Sequence, residues 1–467
     1  MSGYTSVTDG ERAEMLATIG ASSIDELFDV PAGVRLDRDL DLPDGLSEAE
    51  VYERMRALAG RNADAESEIC FLGAGMYDHY APAIVDAIVS RSEFLTPYTP
   101  YQPEISQGGL QAMFEFQTAM SELTGLPLSS AGLYEGPSTV ASAGYLAIGA
   151  TKRRRFVVSA GVNPQSRETL ATYSAGYPAE VAGVGLSGGR TDLDALAAAV
   201  DDQTAAVFVQ YPNFLGAVED LEAIAEIAHD AGALLVAACD PIALGILRTP
   251  GDCGVDIAVG EGQPLGNRLD FGGPSVGFFC ATEALIRRMP GRIAGETDDV
   301  DGRRGFVLAL QTREQHIRRE KATNNICTAQ ALNALAAMIH LAWLGREGFR
   351  GLGELLARRT SYARARLAAV EGIDLLHEAP VVREFAVRLS GAPVDRVLDR
   401  CAERGIAAGY PLAREYPEHD DGLLVAITER RTRAQIDDLA EALGAAIAAE
   451  RGDFVADTTS KSPHGVS

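Results

Sequence analysis

The segment LEAIAEIAHDAGALLVAACDP, residues 221–241, decides how the chain folds. Its first part has apolar residues at helical spacing up to Ala231, and Gly232 is suited to end such a helix. Its second part, ALLVAAC, is an unbroken apolar run of strand length, which indicates a strand covered on both faces. Asp240 follows at the carboxyl end, where parallel α/β sheets carry their site residues. The segment therefore predicts a helix and a strand of a parallel sheet, with a candidate site residue at the strand's end.

The same alternation of apolar runs and helical segments extends from about residue 66 to residue 330. The predicted strands in this region are Arg155–Ser159, Glu180–Gly183, Ala205–Gln210, Leu234–Ala238, Ile257–Val259 and Val276–Cys280. Because they alternate with helices and read as continuous apolar runs, we predict a doubly wound, mostly parallel α/β sheet. Residues 66–330 are thus expected to form a large α/β domain.

Residues 1 to about 65 predict a helical arm. Thr8, Ser23 and Ser47 each precede a short helical pattern and are suited to cap it. The arm has little apolar surface of its own. We expect it to wrap the body of the chain or a neighbouring subunit.

The C-terminal third predicts a smaller α+β domain over residues 331–451. The chain is expected to become helical from Gln311 onward, most strongly in TNNICTAQALNALAAMIHLAWL. The elements predicted after this run are strands at Glu384–Leu389 and Leu423–Ile427 and helices near Val394–Arg404 and Arg433–Ala449. The polar segment 452–467 predicts a flexible tail.

The charge of the chain excludes several classes of partner. It has 66 acidic residues against 41 Lys and Arg, a formal net charge of -25. Nucleic acids and anionic membranes would repel it, so proteins and small molecules are the expected partners. Acid excess with few lysines fits a surface adapted to concentrated salt, where the Debye length falls to roughly 3 Å at 1 M. A codon bias toward Arg, Ala and Gly explains the same composition, and both explanations stay open.

The cysteine and hydropathy patterns indicate where in the cell the protein is expected. Six cysteines are scattered without a CxxC pair or a zinc-like spacing to histidine, so we expect reduced core residues and no metal site. The start, MSGYTSVTDGERAEML, lacks a signal-peptide pattern, and the longest apolar stretch is interrupted by Asp240 and Pro241. These patterns predict a soluble, cytoplasmic protein.

Two segments combine features of a site for pyridoxal phosphate (PLP). In PLP enzymes an aspartate in the position of Asp240 pairs with the pyridinium nitrogen, although an Asp-Pro turn ending a strand is the plainer interpretation. LYEGPST, residues 133–139, precedes a small-residue helix, so Ser138 and Thr139 are candidates for a phosphate cradle at a helix N-terminus. Simple helix capping is the plainer interpretation of these residues.

The lysine that a PLP site would require is missing. About twenty residues after Asp240 the loop reads VGEGQPLGNRLDFGGPSVGFF, with Glu261 and Gln263 where a lysine would be expected. The chain contains three lysines, Lys152, Lys321 and Lys461, and none is placed to hold a cofactor. Arginine cannot replace lysine, because its guanidinium group stays charged.

A further candidate group lies upstream. TPYTPYQPEISQGG, residues 96–109, is rich in helix breakers and offers Tyr98, Tyr101 and Glu104 on a stiffened loop suited to orient a small substrate. Packing of these tyrosines against a subunit face is the alternative. His79, in GMYDHYAP, is a weaker candidate, and a structural role competes with it.

Four segments in this order resemble the glycine-cleavage P-protein family, and within it the alpha chains of the two-subunit form. The segments are FLGAGMYDHYAP (71–82), TPYTPYQPEISQGGLQAMFEFQTAMSELTGL (96–126), VGEGQPLGNRLDFGGPSVGFF (259–279) and REKATNNICTAQALNALAAM (319–338). The resemblance runs from about residue 5 to residue 450. It implies a fold-type-I PLP-dependent transferase-like fold with a mostly parallel, seven-stranded sheet.

The resemblance also implies a division of labour between two similar subunits. The beta chain would carry the PLP lysine, and this chain would bind no cofactor covalently, with Asp240, Glu261, Gln263, Ser138 and Thr139 as a vestigial site. An α2β2 heterotetramer would decarboxylate glycine, release CO2 and pass the aminomethyl group to the lipoyl arm of the H-protein. Tyr98, Tyr101, Glu104 and His79 are candidates for a shared pocket.

Two other hypotheses compete with this interpretation. The chain could be a non-catalytic scaffold or regulatory protein on a degenerate PLP-enzyme fold. It could also be a self-sufficient PLP enzyme that uses Lys321.

Overall fold

The computed structural model describes residues 6–31, 33–36, 38, 40–322 and 324–460, the last eight by their backbone alone. The chain divides into two compact units, Met1–Ala63 and Asp64–Ser467. The α-helices of the described residues are α1 (Asp9–Ile19), α2 (Glu48–Ala59), α3 (Ala83–Val89), α4 (Ser92–Leu95), α5 (Gln107–Thr124), α6 (Gly136–Thr151), α7 (Pro164–Gly176), α8 (Leu193–Ala199), α9 (Leu221–Asp230), α10 (Gln315–Arg318), α11 (Ala331–Ala368), α12 (Val394–Ala402) and α13 (Arg433–Ser460).

The strands belong to one large sheet and several smaller ones. In chain order they are β1 (Ile69–Cys70), β2 (Leu128–Ser129), β3 (Arg155–Ser159), β4 (Glu180–Val184), β5 (Leu186–Ser187), β6 (Arg190–Thr191), β7 (Thr204–Tyr211), β8 (Leu234–Cys239), β9 (Ile257–Glu261), β10 (Gly277–Ala281), β11 (Ile293–Asp298), β12 (Arg304–Ala309), β13 (Ile373–Leu375), β14 (Glu384–Leu389), β15 (Ile406–Ala407), β16 (Tyr410–Pro411) and β17 (Gly422–Ala426).

The large sheet has seven strands among the described residues, in the order β2-β10-β9-β8-β7-β3-β4. Strands β9, β8, β7, β3 and β4 run parallel, while β10 runs antiparallel to both of its neighbours. All six strands predicted for this region are present, with ends that differ by at most two residues. The expected mostly parallel, doubly wound sheet is therefore confirmed.

Each face of this sheet is covered, which is why its strands are apolar throughout. Along β8, Leu235, Ala237 and Cys239 belong to one core cluster, together with side chains of α5, α9 and α11. Val236 belongs to a second cluster with α6 and α7. Successive residues of a strand point to opposite faces, so both faces of β8 are buried.

A smaller sheet follows, with strands in the order β13-β14-β17-β16 and with α12 and α13 packed near it. Both strands predicted here are present. A short stretch from the beginning of the large domain also joins this region: β1 pairs with β15, and Phe71 lies in the core beneath the sheet. Residues 69–71 therefore belong with the smaller sheet, although the sequence prediction assigned everything after residue 66 to the large domain.

Three local predictions differ in part from the structure. Ser23 does not begin a helix, since only a 3₁₀ turn forms at Asp25–Leu27. The chain does become helical at Gln311, in short 3₁₀ turns and the four-residue α10, but residues 324–330 are not helical and the long helix α11 begins only at Ala331. The preceding hairpin β11–β12 was not expected. Helix α13 continues to Ser460, past the predicted start of the tail at residue 452; residues 461–467 lie outside the described residues.

Candidate functional site

The main candidate site is a cavity of about 340 Å³ at the carboxyl end of the large sheet. It lies within the unit Asp64–Ser467 and is lined by the ends of β7, β8 and β9, the starts of α6 and α7, residues 74–77 and Arg383. Parallel α/β sheets place ligands at this edge, because the strand ends and the helix N-termini converge there. Asp240 and Glu261, both predicted as site residues, lie in its wall.

Asp240 is held by an arginine from the smaller sheet. Arg383 donates from Nε to Oδ2 of Asp240 at 2.5 Å and from Nη2 to Oδ1 at 2.7 Å. The guanidinium carbon lies 3.4 Å from the centroid of the Tyr77 ring, so the arginine is stacked as well as paired. The Arg383 side chain is 4% exposed and that of Asp240 13%. A buried, bidentate pair of this kind leaves Asp240 committed to its partner.

The residue after Arg383 ties the same region together. Glu384 accepts a hydrogen bond from the Tyr77 hydroxyl at 2.6 Å and another from the backbone N–H of Ala74 at 2.8 Å. A Cβ added at Gly73 would lie 2.2 Å from Oε1 of Glu384, so this backbone can approach the carboxylate only as glycine. Tyr77, Asp240, Arg383 and Glu384 thus form one buried cluster, which we call the joint.

Gln263, the residue expected near the missing lysine, is fully buried and serves as a clamp. Its Oε1 accepts from the Tyr77 backbone N–H at 3.0 Å, and its Nε2 donates to the Tyr77 carbonyl oxygen at 3.0 Å. Nε2 also donates to the Asn267 carbonyl oxygen at 3.0 Å. Gln263 therefore fixes the segment that carries Tyr77, and it does not line the cavity.

Glu261 occupies the start of helix α6. The Gly136 N–H donates to Oε2 of Glu261 at 3.0 Å, and the Ser275 hydroxyl donates to Oε1. A Cβ at Gly136 would lie 3.1 Å from the Cβ of Glu261, which shows how closely β9 approaches the helix. Glu135 accepts from the Ser138 N–H at 2.9 Å. Two carboxylates of the chain thus lie where a helix N-terminus would otherwise receive a phosphate.

Burial shapes the titration of these groups. Desolvation raises the pKa of Glu261 and of Glu384 above the usual range, although hydrogen bonds from neighbouring donors oppose the shift. Desolvation opposes the charged form of Arg383, but the charge of Asp240 and its hydrogen bond, together with contributions from Tyr77 and Glu384, offset it and leave the pKa of Arg383 raised. The pKa of Tyr77 lies well above 10 because of burial and the charge of Glu384. The joint is therefore a fixed ion pair flanked by a neutral phenol.

Besides Gln263, the predicted site residues Ser138, Thr139 and His79 also lie outside the cavity wall. The Ser138 and Thr139 hydroxyls donate to the carbonyl oxygens of Glu135 and Gly136, within the first turn of α6. His79 is buried, and its Nε2 lies 2.8 Å from the Asn267 carbonyl oxygen. Its ring packs against His340, with 5.9 Å between the ring centroids. These contacts are structural.

The segment 96–109 forms a second, separate feature. Tyr98 is 78% exposed, and Glu104 is exposed in a 3₁₀ turn at Pro103–Ile105. Tyr101 is anchored, because Nη2 of the buried Arg292 donates to its hydroxyl at 2.7 Å. Arg292 in turn pairs with the buried Glu314 at 2.5 Å. The structure therefore does not bring Tyr98, Tyr101 and Glu104 together with Asp240, and instead presents them at the surface.

The sequence interpretation missed Arg383, Tyr77 and Glu384. A signal for two of them was present, since the charged pair Arg383–Glu384 opens the apolar strand EFAVRL, where an uncompensated charge would be costly. Nothing local indicated that Arg383 would meet Asp240, 143 residues away in the chain.

The residues of this cavity do not fit PLP. The contacts such a cofactor would make, with Asp240 and with the N-terminus of α6, are already made by Arg383, Glu261 and Glu135. Lys152 and Lys321 are exposed and lie outside the cavity wall; Lys461 is not among the described residues. Within the described ranges no three His, Cys, Asp or Glu side chains come together as a metal site, and none of the helices could span a membrane.

The sequence matches one protein family over most of its length. The family model described as glycine cleavage system P-protein matches residues 3–443. A probable glycine dehydrogenase (decarboxylating) subunit 1 from Moorella thermoacetica is 50% identical over 441 residues, which cover 94% of this chain and 98% of the relative. Its counterpart from Bacillus velezensis is 49% identical over 442 residues, again 94% and 98%.

Solved structures extend this similarity to the fold. The crystal structure of a glycine decarboxylase (P-protein) of the glycine cleavage system, in inhibitor-bound form, has a TM-score of 0.88 and 44% identity. It covers 95% of this chain and 100% of that one. A sphingosine-1-phosphate lyase from Burkholderia pseudomallei has a TM-score of 0.68 at 15% identity, with 92% and 98% coverage, and supports the fold alone. The predicted fold-type-I architecture is confirmed.

Proposed function

Because the chain belongs to the glycine cleavage system P-protein family, we propose that it is one of two different subunits of a glycine-decarboxylating enzyme. Together with a second subunit that bears the PLP lysine, it decarboxylates glycine and releases CO2. The remaining aminomethyl group passes to the oxidised lipoyl arm of the H-protein. PLP, held by the second subunit, supplies the electron sink for this chemistry.

One observation carries this proposal: the cavity of this chain is closed to the cofactor by its own side chains. Arg383 pairs with Asp240, and Glu261 takes the N–H of Gly136 at the start of α6. The lysine position holds Gln263, whose amide is committed to the Tyr77 backbone. A subunit with this cavity contributes to catalysis by shaping a pocket on its partner.

The segment 96–109 is the part of this chain that faces the partner's pocket. Tyr98 and Glu104 are exposed there, while the buried Arg292 holds Tyr101 from beneath. An anchored loop with free phenol and carboxylate groups can orient a small zwitterion such as glycine without large motion. His79 acts indirectly, by holding the Asn267 carbonyl oxygen.

The N-terminal arm packs on the partner subunit. The expectation that the arm has little apolar surface was wrong. Its helices α1 and α2 bury no residue, and large apolar side chains are exposed along the described residues of the arm, among them Met15, Phe28 and Met55. Burying such side chains against another chain would give an extended interface of the size obligate complexes use, on the order of 2,000 Å² or more. Two copies of each subunit then form an α2β2 heterotetramer. The six unpaired cysteines support a reducing compartment such as the cytoplasm.

Reconstitution tests this proposal. The full chain and the lysine-bearing subunit are purified separately, and glycine–CO2 exchange is measured in the presence of lipoylated H-protein. We expect neither subunit alone to catalyse exchange and the mixture to do so, with co-elution as one complex. Exchange by the lysine-bearing subunit that does not change when this chain is omitted would instead indicate a scaffold or regulatory role.

The Tyr98→Ala variant then tests the role of segment 96–109 in the reconstituted enzyme. Val300→Ala, which changes another exposed side chain, is its control.

A further inference from the structure

The joint reproduces, with protein groups, the shape and charge of a bound cofactor ring. A pyridinium ring is flat and cationic, and it offers an N–H to an aspartate at this position. The Arg383 guanidinium is also flat and cationic, donates two N–H groups to Asp240, and stacks 3.4 Å from the centroid of the Tyr77 ring. An arginine can fill this role because its planar fork suits both a carboxylate and an aromatic face.

The phosphate position is filled in the same manner. Oε2 of Glu261 accepts from the Gly136 N–H at 3.0 Å, and Oε1 of Glu135 accepts from the Ser138 N–H at 2.9 Å. The carboxylate of Glu261 is further held by Ser275 and by the Gln263 N–H, the latter at 2.8 Å. An incoming phosphate would have to displace carboxylates that already accept these N–H groups. Replacing Gln263 with lysine would supply an amine but would not free this position.

The joint also connects the two sheets. Asp240 follows β8 of the large sheet, whereas Arg383 and Glu384 stand at the start of β14 in the smaller sheet. Tyr77 is bound by both, through its ring to Arg383 and through its hydroxyl to Glu384. Removing one partner of a buried ion pair is strongly unfavourable, so the Asp240–Arg383 pair should stabilise the contact between the two sheets.

We propose that the cofactor-type cavity of this chain has become a structural joint, in which Arg383 replaces a cofactor ring and Glu261 replaces its phosphate. The joint, and not the missing lysine alone, excludes PLP and holds the smaller sheet against the large one. The inference deepens the proposed function, because it assigns a structural role to the cavity of the non-cofactor subunit. It concerns the isolated chain, so it can fail while reconstitution succeeds.

Three full-length variants test the exclusion of the cofactor: Gln263→Lys, Gln263→Lys/Glu261→Ala, and Gln263→Lys/Glu261→Ala/Arg383→Met. Each isolated chain is incubated with PLP and reduced with borohydride. The introduced amine condenses with the aldehyde and releases water, and hydride then reduces the C=N bond to a stable C–N bond. Intact mass and peptide mapping measure labelling at position 263, with far-UV circular dichroism as the check of folding.

We expect labelling of Gln263→Lys at position 263 to stay at the background of exposed lysines, and the triple variant to be labelled at least about tenfold more. The double variant, which keeps Arg383, should remain close to background. Full labelling of Gln263→Lys alone would overturn the proposal, since the lysine would then be the missing element. A folded triple variant that is not labelled would also overturn the proposal, because Glu261 and Arg383 would then not be the groups that exclude PLP.

Hydrogen exchange tests, without PLP, whether the joint holds the two sheets together. In the otherwise unchanged chain, Asp240→Asn and Arg383→Met should each speed exchange of the β14 amides by at least about tenfold, which corresponds to 1.4 kcal/mol. The double variant should exchange no faster than the faster single variant, because both changes break the same pair. Unchanged exchange of the β14 amides in both single variants would refute the claim that the Asp240–Arg383 pair holds the smaller sheet against the large one.

Discussion

The substitution Asp240→Asn should destabilise the chain far more than neutralising an ordinary aspartate. It removes the charge that faces Arg383, whose side chain is 4% exposed and makes two hydrogen bonds to Asp240. Leaving one member of a buried ion pair uncompensated costs about 3–5 kcal/mol. The Tyr77 ring stacks on the guanidinium in both forms and so does not change this cost, but the amide oxygen that replaces the carboxylate still accepts a hydrogen bond from Arg383, which places the loss at the lower end of the range. We therefore expect a net loss of about 3 kcal/mol.

Differential scanning calorimetry provides the assay, with a matched exposed pair as control. Asp301 lies 3.7 Å from Arg303, and both side chains are mostly exposed, at 63% and 78%. Asp301→Asn should change stability by less than about 0.5 kcal/mol and leave Tm nearly unchanged. Asp240→Asn should lower Tm by several degrees, roughly 3–6 °C for a chain of this size. Equal shifts in the two variants would refute the claim that the Asp240–Arg383 pair stabilises the fold.

Three further predictions concern pH, salt and the exposed loop. Burial, with a contribution from His79, lowers the pKa of His340 from 6.5 to about 4. Between these two pH values the ring is neutral in the folded chain but protonated in the unfolded chain. Stability is therefore complete above pH 6.5 and declines by about 3 kcal/mol toward pH 4, and the Tm of His340→Gln should depend less on pH over this range. If the acid excess is an adaptation to salt, Tm should rise by several degrees between dilute buffer and molar KCl, and an unchanged Tm would favour codon bias. Tyr98→Ala should lower glycine–CO2 exchange by the mixed subunits at least about tenfold and leave the Tm of this chain within about 1 °C. The control Val300→Ala should change neither the exchange rate nor the Tm.

The central sheet could be predicted because each of its long strands is buried on both faces. Continuous apolar runs such as ALLVAAC, which is seven residues long and ends at an Asp-Pro turn, favour a buried strand over a helix segment, so β8 and its neighbours could be placed within two residues. Strand β2 could not be predicted, because two residues at the sheet edge carry no periodicity. The hairpin β11–β12 was missed for a related reason, since IAGETD and RGFVLA are only partly apolar.

The candidate site was predictable only as far as it followed the sheet. Asp240 and Glu261 end strands β8 and β9, so their position at one edge followed from the topology. Arg383 comes from another layer of the fold, and its pairing with Asp240 depends on how the two sheets pack, for which a single sequence carries no local signal. Tyr98, Tyr101 and Glu104 were correctly placed on an irregular segment, but the buried Arg292 that anchors Tyr101 is 191 residues away.

Mapping the cofactor in the assembled enzyme tests the central claim most directly. The complex of both subunits is loaded with PLP, reduced with borohydride and digested, and the labelled lysine is identified by mass spectrometry. We expect one stoichiometric label per pair of subunits, on the partner, and at most trace labelling of Lys152, Lys321 and Lys461. Stoichiometric labelling of any of these three lysines, accompanied by glycine turnover in the isolated chain, would contradict a subunit that relies on its partner's cofactor.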